Sequence, residues 1–128
     1  MTTRRATLAL LLGAAVVATG CAGPQPIQNV EGSPAPAGRT ALQVKSAIQR
    51  AGVQLGWRIR DAGPSQLSGA LHIRDHIAEI DIPYSAQGYD LRYRSSQNLN
   101  SDGTVIHPRY NAWINNLDRT IQSQLSLP

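Results

Sequence analysis

Leu67-Ser-Gly-Ala-Leu-His-Ile-Arg-Asp-His-Ile-Ala-Glu-Ile-Asp-Ile-Pro-Tyr-Ser-Ala-Gln-Gly-Tyr-Asp-Leu-Arg-Tyr-Arg94 is the stretch that decides the fold. Its side chains alternate. Leu67, Gly69, Leu71 and Ile73 take one parity, Ala78, Ile80, Ile82 and Tyr84 the other, and Tyr89, Leu91 and Tyr93 the first again. A period of two marks strands with one buried face and one wet face. The alternation breaks at Asp75-His76 and at Ser85-Ala-Gln-Gly88, both turn-forming in composition. Connections this short make an antiparallel meander.

Parity fixes the expected register. Directly opposed residues share a face, so each loop must hold an even number of residues. A two-residue loop at Asp75-His76 pairs Ile73 with Ala78 and Leu71 with Ile80 inside, and His72 with Glu79 outside. A four-residue loop, Ser85 to Gly88, pairs Ile82 with Leu91 inside, and Asp81 with Arg92 and Glu79 with Arg94 outside. Both hairpins bring opposite charges together on the wet face.

Upstream, Leu55, Trp57 and Ile59 alternate with Gly56, Arg58 and Arg60, giving a fourth strand. Before it the period changes. Thr40 and Gln43 have capping-box spacing, and Val44, Ala47, Ile48 and Ala51 form a helical stripe that Gly52 ends. This predicts a helix over 41–51. Downstream, Pro108 suits a first helical turn, and Tyr110, Ile114, Leu117, Ile121 and Leu125 form a second stripe with Trp113 beside it, predicting a helix over 108–125. The order is α-β-β-β-β-α. The expected class is α+β: a four-stranded antiparallel meander with two helices packed on one face, forming a single domain over 40–126.

The amino terminus is of another kind. Arg4 and Arg5 precede a short apolar run, Leu8 to Ala18, and then Thr19, Gly20 and the only cysteine, Cys21. The run matches a signal sequence in length and is shorter than the roughly 20 residues that span a bilayer. Ala18-Thr19-Gly20-Cys21 resembles the bacterial lipobox, with Ala18 where that motif usually has Leu. The resemblance implies cleavage after Gly20, a signal peptide over 1–20 and lipid on the Cys21 sulfur. By the sorting rule for such lipoproteins, Ala22 in place of Asp implies the periplasmic leaflet of the outer membrane. Residues 21–39, rich in Pro and Gly, read as a flexible tether. About 18 such residues give a span on the order of 20–25 Å.

Composition narrows the functions. The formal charge is +4, but Arg4 and Arg5 supply two of those charges and leave with the leader. The residual excess is too thin for a nucleic-acid binder. One cysteine permits neither an internal disulfide nor a cysteine metal cluster. His72, His76 and His107 lack zinc-ligand spacing, although the first two flank a turn. There is no Gly-rich phosphate loop, and no cofactor is expected.

Two groups of residues could form a binding site. On the wet face of the sheet, Arg58, Arg60, His72, Arg74, Arg92 and Arg94 gather with Glu79 and Asp81, either as an anion- or protein-binding surface or as solvated cross-strand pairs. In the long polar connection Ser95 to Trp113, Asn98, Asp102, His107, Tyr110 and Asn111 lie close in sequence. They suit a ligand pocket at the helix start, or else structural roles, with His107 as N-cap, Asn98 in a turn and Tyr110 in the core. Ser96, His107 and Asp102 supply hydrolase residue types without a nucleophile-elbow motif.

The pattern Tyr93-Arg94-x-Ser96-x-Asn98-Leu99, followed by Ile106-His107-x-x-Tyr110-Asn111-x-Trp113-Ile114 and Leu117, resembles a family of small proteobacterial lipoproteins of unassigned activity. The resemblance covers about Trp57 to Leu117. It implies a shared fold and an envelope location and carries over no catalytic residue. The expected function is therefore a membrane-anchored periplasmic lipoprotein, a non-enzymatic binding or assembly module for an envelope protein or for peptidoglycan. The alternative is a small hydrolase or ligand-binding enzyme working around His107.

Overall fold

In a computed structural model, which describes residues 23–128, the first helix begins where its capping box predicts. Thr40 Oγ1 accepts the Gln43 N–H (3.1 Å), and Gln43 Oε1 accepts the Thr40 N–H (2.9 Å). Helix α1 spans Ala41–Leu55 and buries Val44, Ala47, Ile48 and Ala51. It runs past Gly52, the expected stop, and ends at Gly56, which takes φ +86°. Gly52 serves packing instead: a Cβ there would collide with the Ile59 side chain.

The meander follows as β3 (Arg58–Gly63), β4 (Gln66–Ile73), β5 (His76–Ser85) and β6 (Gly88–Gln97), after two strands nearer the amino terminus, β1 (Gln25–Pro26) and β2 (Val30–Pro34). The main sheet is antiparallel with strand order β2-β6-β5-β4-β3. Helix α2 (Pro108–Leu125) has its expected bounds. Both helices pack with the inward side chains Leu67, Leu71, Ile80, Ile82 and Leu91 in one core. The architecture is α+β, two helices on a five-stranded sheet, with a small two-stranded ribbon of β1 and β7 (Val105–Ile106) beside it.

The register differs from expectation in two places. The β4–β5 turn is Arg74-Asp75, so Ile73 faces His76, Leu71 faces Ala78 and Gly69 faces Ile80. Inside and outside are preserved, but His72 opposes Ile77 and Glu79 opposes Ala70. Tertiary contacts support this turn: Asn98 Nδ2 donates to the Asp75 carbonyl (2.6 Å), and His76 Nδ1 lies 2.8 Å from the Asn98 carbonyl. The β5–β6 pairing keeps Asp81 opposite Arg92, and the ladder continues to Ser85–Gly88, leaving Ala86-Gln87 as the turn. Beyond Ile80–Tyr93 the register shifts, so Glu79 faces Ser95 and not Arg94. Arg94 reaches Asp81 instead, at 3.1 Å.

The larger correction concerns the tether. From Gln25 onward, residues expected to form a flexible leash are part of the fold, and they raise the strand count from four to five. Val30 pairs with Leu91, Ser33 with Tyr89 and Pro34 with Gly88. Prolines are tolerated here because an edge strand has N–H positions that need no partner. Ile27, Val30 and Ala35 pack on the core. Distant side chains complete the attachment: Asn111 Oδ1 accepts the Gln28 N–H (3.0 Å), Asp90 Oδ1 the Gly32 N–H (2.7 Å), and Gln122 Nε2 donates to the Pro34 carbonyl (2.8 Å). Gly88 permits the close approach, since a Cβ there would meet the Ser33 carbonyl. The lipobox and Cys21 lie outside the described residues.

Candidate functional site

The residues around His107 are each engaged within the fold. His107 is the N-cap of α2, its Nδ1 accepting the Arg109 N–H at 3.1 Å. Asn98, at φ +61°, braces the Arg74-Asp75 turn. Asp102 closes its own loop by accepting the Thr104 N–H (2.8 Å), the Thr104 hydroxyl (2.8 Å) and the Val105 N–H (2.9 Å). These bonds, the Val105 N–H foremost, hold its carboxyl down at about 2.

Tyr110 is fully buried and meets Tyr93 edge-on at 5.5 Å. Burial pushes its phenol well above the usual range. Asn111 clamps the amino-terminal segment to α2, taking the Gln28 N–H while Nδ2 donates to the Pro26 carbonyl (2.9 Å). Among the described residues, four surface depressions of 300 to 440 Å³ are lined by residues other than Asn98, Asp102, His107, Tyr110 and Asn111.

One depression does fall on the other predicted group. It measures about 300 Å³ and lies on the open face of the sheet, lined by Arg58 and Arg60 from β3, His72 from β4 and Arg94 from β6. Its shape follows from the register. Arg58 opposes Ala70 and Arg60 opposes Ser68, so small side chains at the centre of β4 form a floor between taller neighbours. Sequence reasoning named the walls and missed the floor, because a run of small residues gains meaning only once its cross-strand neighbours are known.

Two of the six expected basic residues, Arg74 and Arg92, stay outside this depression. Arg74 sits in the β4–β5 turn at φ +56°. Arg92 is engaged by Asp90 (2.7 Å) and more loosely by Glu31 (3.7 Å). Within the depression, Arg94 contacts Asp81, while Arg58 and Arg60 make no ion pair among the described residues. Glu79 is the one carboxylate in the lining. Guanidinium groups so arranged can grip a carboxylate or phosphate with paired N–H donors.

A second polar cluster escaped sequence reasoning because its members are far apart in the chain. Asp118 Oδ1 accepts from Ser33 Oγ (2.7 Å) and from the Tyr89 hydroxyl (2.5 Å), and Gln122 Nε2 donates to Ser33 Oγ (3.0 Å). Burial, with the Asp118 bond second, raises the Tyr89 phenol well above its ordinary value. This network joins β2, β6 and α2 and is structural. Among the described residues no cluster of His, Cys, Asp and Glu could hold a metal ion, and no helix is long and apolar enough to cross a membrane. No family model, curated protein or solved structure matches this chain.

Proposed function

We propose that this chain is the precursor of a small bacterial envelope lipoprotein, cleaved before Cys21 and anchored by lipid on that cysteine, whose domain is a non-enzymatic binding module. In this reading it belongs with the small proteobacterial lipoproteins whose residue pattern it resembles, on the periplasmic leaflet of the outer membrane. Its partner is an anionic component of the envelope, an assembly protein or the cell wall, bound on the open face of the sheet. The observation that carries this is the depression walled by Arg58, Arg60, His72 and Arg94 over a floor of small residues. Arg58 and Arg60 make no ion pair among the described residues, and Glu79 is the single carboxylate that shares the depression with them.

Folding of the amino-terminal segment sharpens the proposal. Only three residues, Ala22 to Pro24, separate Cys21 from β1, and the four steps from Cys21 to Gln25 span at most about 14 Å. The domain works close against its membrane, with its β1–β7 ribbon at the tethered end. The small-hydrolase reading draws no support from His107 Nδ1, Asp102 and Asn111, which hold backbone partners, and the one buried polar atom left without a partner there is the Tyr110 hydroxyl.

The test has two arms. In cells, Cys21→Ala prevents acylation and shifts the protein out of the membrane fraction. In a crosslinking experiment, Arg58→Glu with Arg60→Glu abolishes recovery of the partner and leaves membrane attachment intact. Undiminished crosslinking of the charge-reversed protein would falsify the sheet-face assignment.

A further inference from the structure

The two edges of the main sheet differ in character. At one edge, β2 has an irregular register between Val30 and Ser33 and contains Pro34, and its Gly32 amide is held by Asp90. Bulges and prolines keep a sheet edge from pairing with other chains. At the other edge, β3 pairs only with β4 and contains no proline before Pro64. Its residues are exposed except for half-buried Ile59. From Arg58 to Asp61 the ladder to β4 is regular. An antiparallel edge of this kind turns alternate backbone N–H and C=O groups away from the sheet.

The side chains at this edge define what could pair with it. Arg58 and Arg60 stand on the open face and line the depression. Asp61, of the other parity, is already held by Lys45 at 2.7 Å. An incoming strand therefore meets, on one face, two guanidinium groups that make no ion pair among the described residues and, on the other, a satisfied ion pair. A second copy of the chain is a poor occupant. Antiparallel pairing of β3 with itself, with faces matched, sets Arg58 against Arg60 or Arg60 against Arg60. Like charges directly opposed destabilise a sheet. A strand with acidic residues at every second position turns the same contacts attractive.

We propose that the free edge of β3 binds an extended acidic polypeptide segment by strand addition, its backbone hydrogen-bonded to Arg58–Asp61 and its alternate Asp or Glu side chains on Arg58 and Arg60. Main-chain bonds supply affinity in this mode, and the alternate side chains supply selectivity. The proposal rests on the sheet-face reading above and adds the class of partner.

The experiment titrates the intact protein with an eight-residue peptide alternating Val and Glu, followed by amide NMR and hydrogen exchange. Binding is expected to shift the Arg58–Asp61 amides and slow exchange at alternate residues of β3. Arg58→Gln with Arg60→Gln weakens binding at least tenfold. N-methylating the alternate peptide amides that face β3 does the same without touching the protein, while methylating the other alternate set leaves binding intact. A peptide alternating Val and Lys does not bind.

The proposal is overturned if both methylated peptides bind equally well. It is also overturned if inorganic phosphate reproduces the whole response, which means an anion site on the sheet face without strand addition and leaves the sheet-face reading standing. If neither peptide nor phosphate perturbs Arg58, Arg60, His72 or Arg94, both readings fail together.

Discussion

Replacing Asn111 with Ala tests whether the segment from Gln25 is part of the fold or a leash lying against it. The Asn111 side chain is nearly buried and holds three groups of that segment: the Gln28 N–H at 3.0 Å, the Pro26 carbonyl at 2.9 Å and, at 3.4 Å, Gln25 Oε1. Two good hydrogen bonds contribute about 1 kcal/mol each, and leaving a part-buried amide or carbonyl without a partner costs about 1 kcal/mol more. The expected loss is about 2–3 kcal/mol. For a domain of roughly 100 residues this lowers Tm by about 10–15 °C. Asn111→Asp keeps the acceptor for Gln28 but sets a carboxylate oxygen against the Pro26 carbonyl, so it does not rescue stability. Thermal melts give the magnitude, and hydrogen exchange gives the location: the Gln28 amide loses protection, as does the Tyr93 amide, which Asn29 Oδ1 accepts at 2.9 Å. A Tm drop under about 4 °C, with Gln28 still protected, would show that the clamp is incidental and that the segment is held by other means.

Other perturbations probe different parts of the account. Gly88→Ala drives a methyl into the Ser33 carbonyl at φ +153°, so β2 should separate from β6 with a loss of about 2 kcal/mol or more, read as faster exchange at Gly32 and Ala35. His107→Ala removes one N-cap bond and should cost about 1 kcal/mol by denaturant melt, with partner crosslinking through the sheet face unchanged. Asp102 has a folded-state pKa of about 2, below its ordinary 3.8, so its contribution is present above about pH 4 and lost as pH falls toward 2. Amide shifts of Thr104 and Val105 should therefore move across that window while the core stays folded, and Asp102→Ala should show the low-pH spectrum of this loop at neutral pH.

Much of the fold is legible in the sequence because local and global preferences agree there. The capping box at Thr40, the stripe on α2 and the alternation through β4, β5 and β6 each depend on residues close in the chain. The β5–β6 register was legible in its residue pairs from Asp81–Arg92 to Tyr84–Tyr89, but the β4–β5 register only in parity. Two-residue turns at Asp75-His76 and at Arg74-Asp75 keep the same residues inside, and the choice between them involves Asn98, more than 20 residues away. The segment from Gln25 to Ala35 was misread because its composition is that of a linker. Its partners Asp90, Asn111 and Gln122 lie 58 to 88 residues further on. For the candidate site, the arginines and His72 were visible from alternation alone. Their concentration into one depression depends on Ser68 and Ala70 standing between them, which needs the pairing of β3 with β4. The His107 group was visible as a cluster of polar residues, but sequence proximity does not separate side chains that hold a loop from side chains that hold a ligand.

The most direct measurement introduces a photo-crosslinking side chain at Ala70, on the floor of the depression, and in a second protein at Arg109, beside His107, and compares adducts formed in intact cells. The account predicts a reproducible adduct with an anionic envelope component from position 70, lost on adding Arg58→Glu and Arg60→Glu, and none from position 109. An adduct from position 109 alone, or one from position 70 that survives the charge reversal, contradicts it.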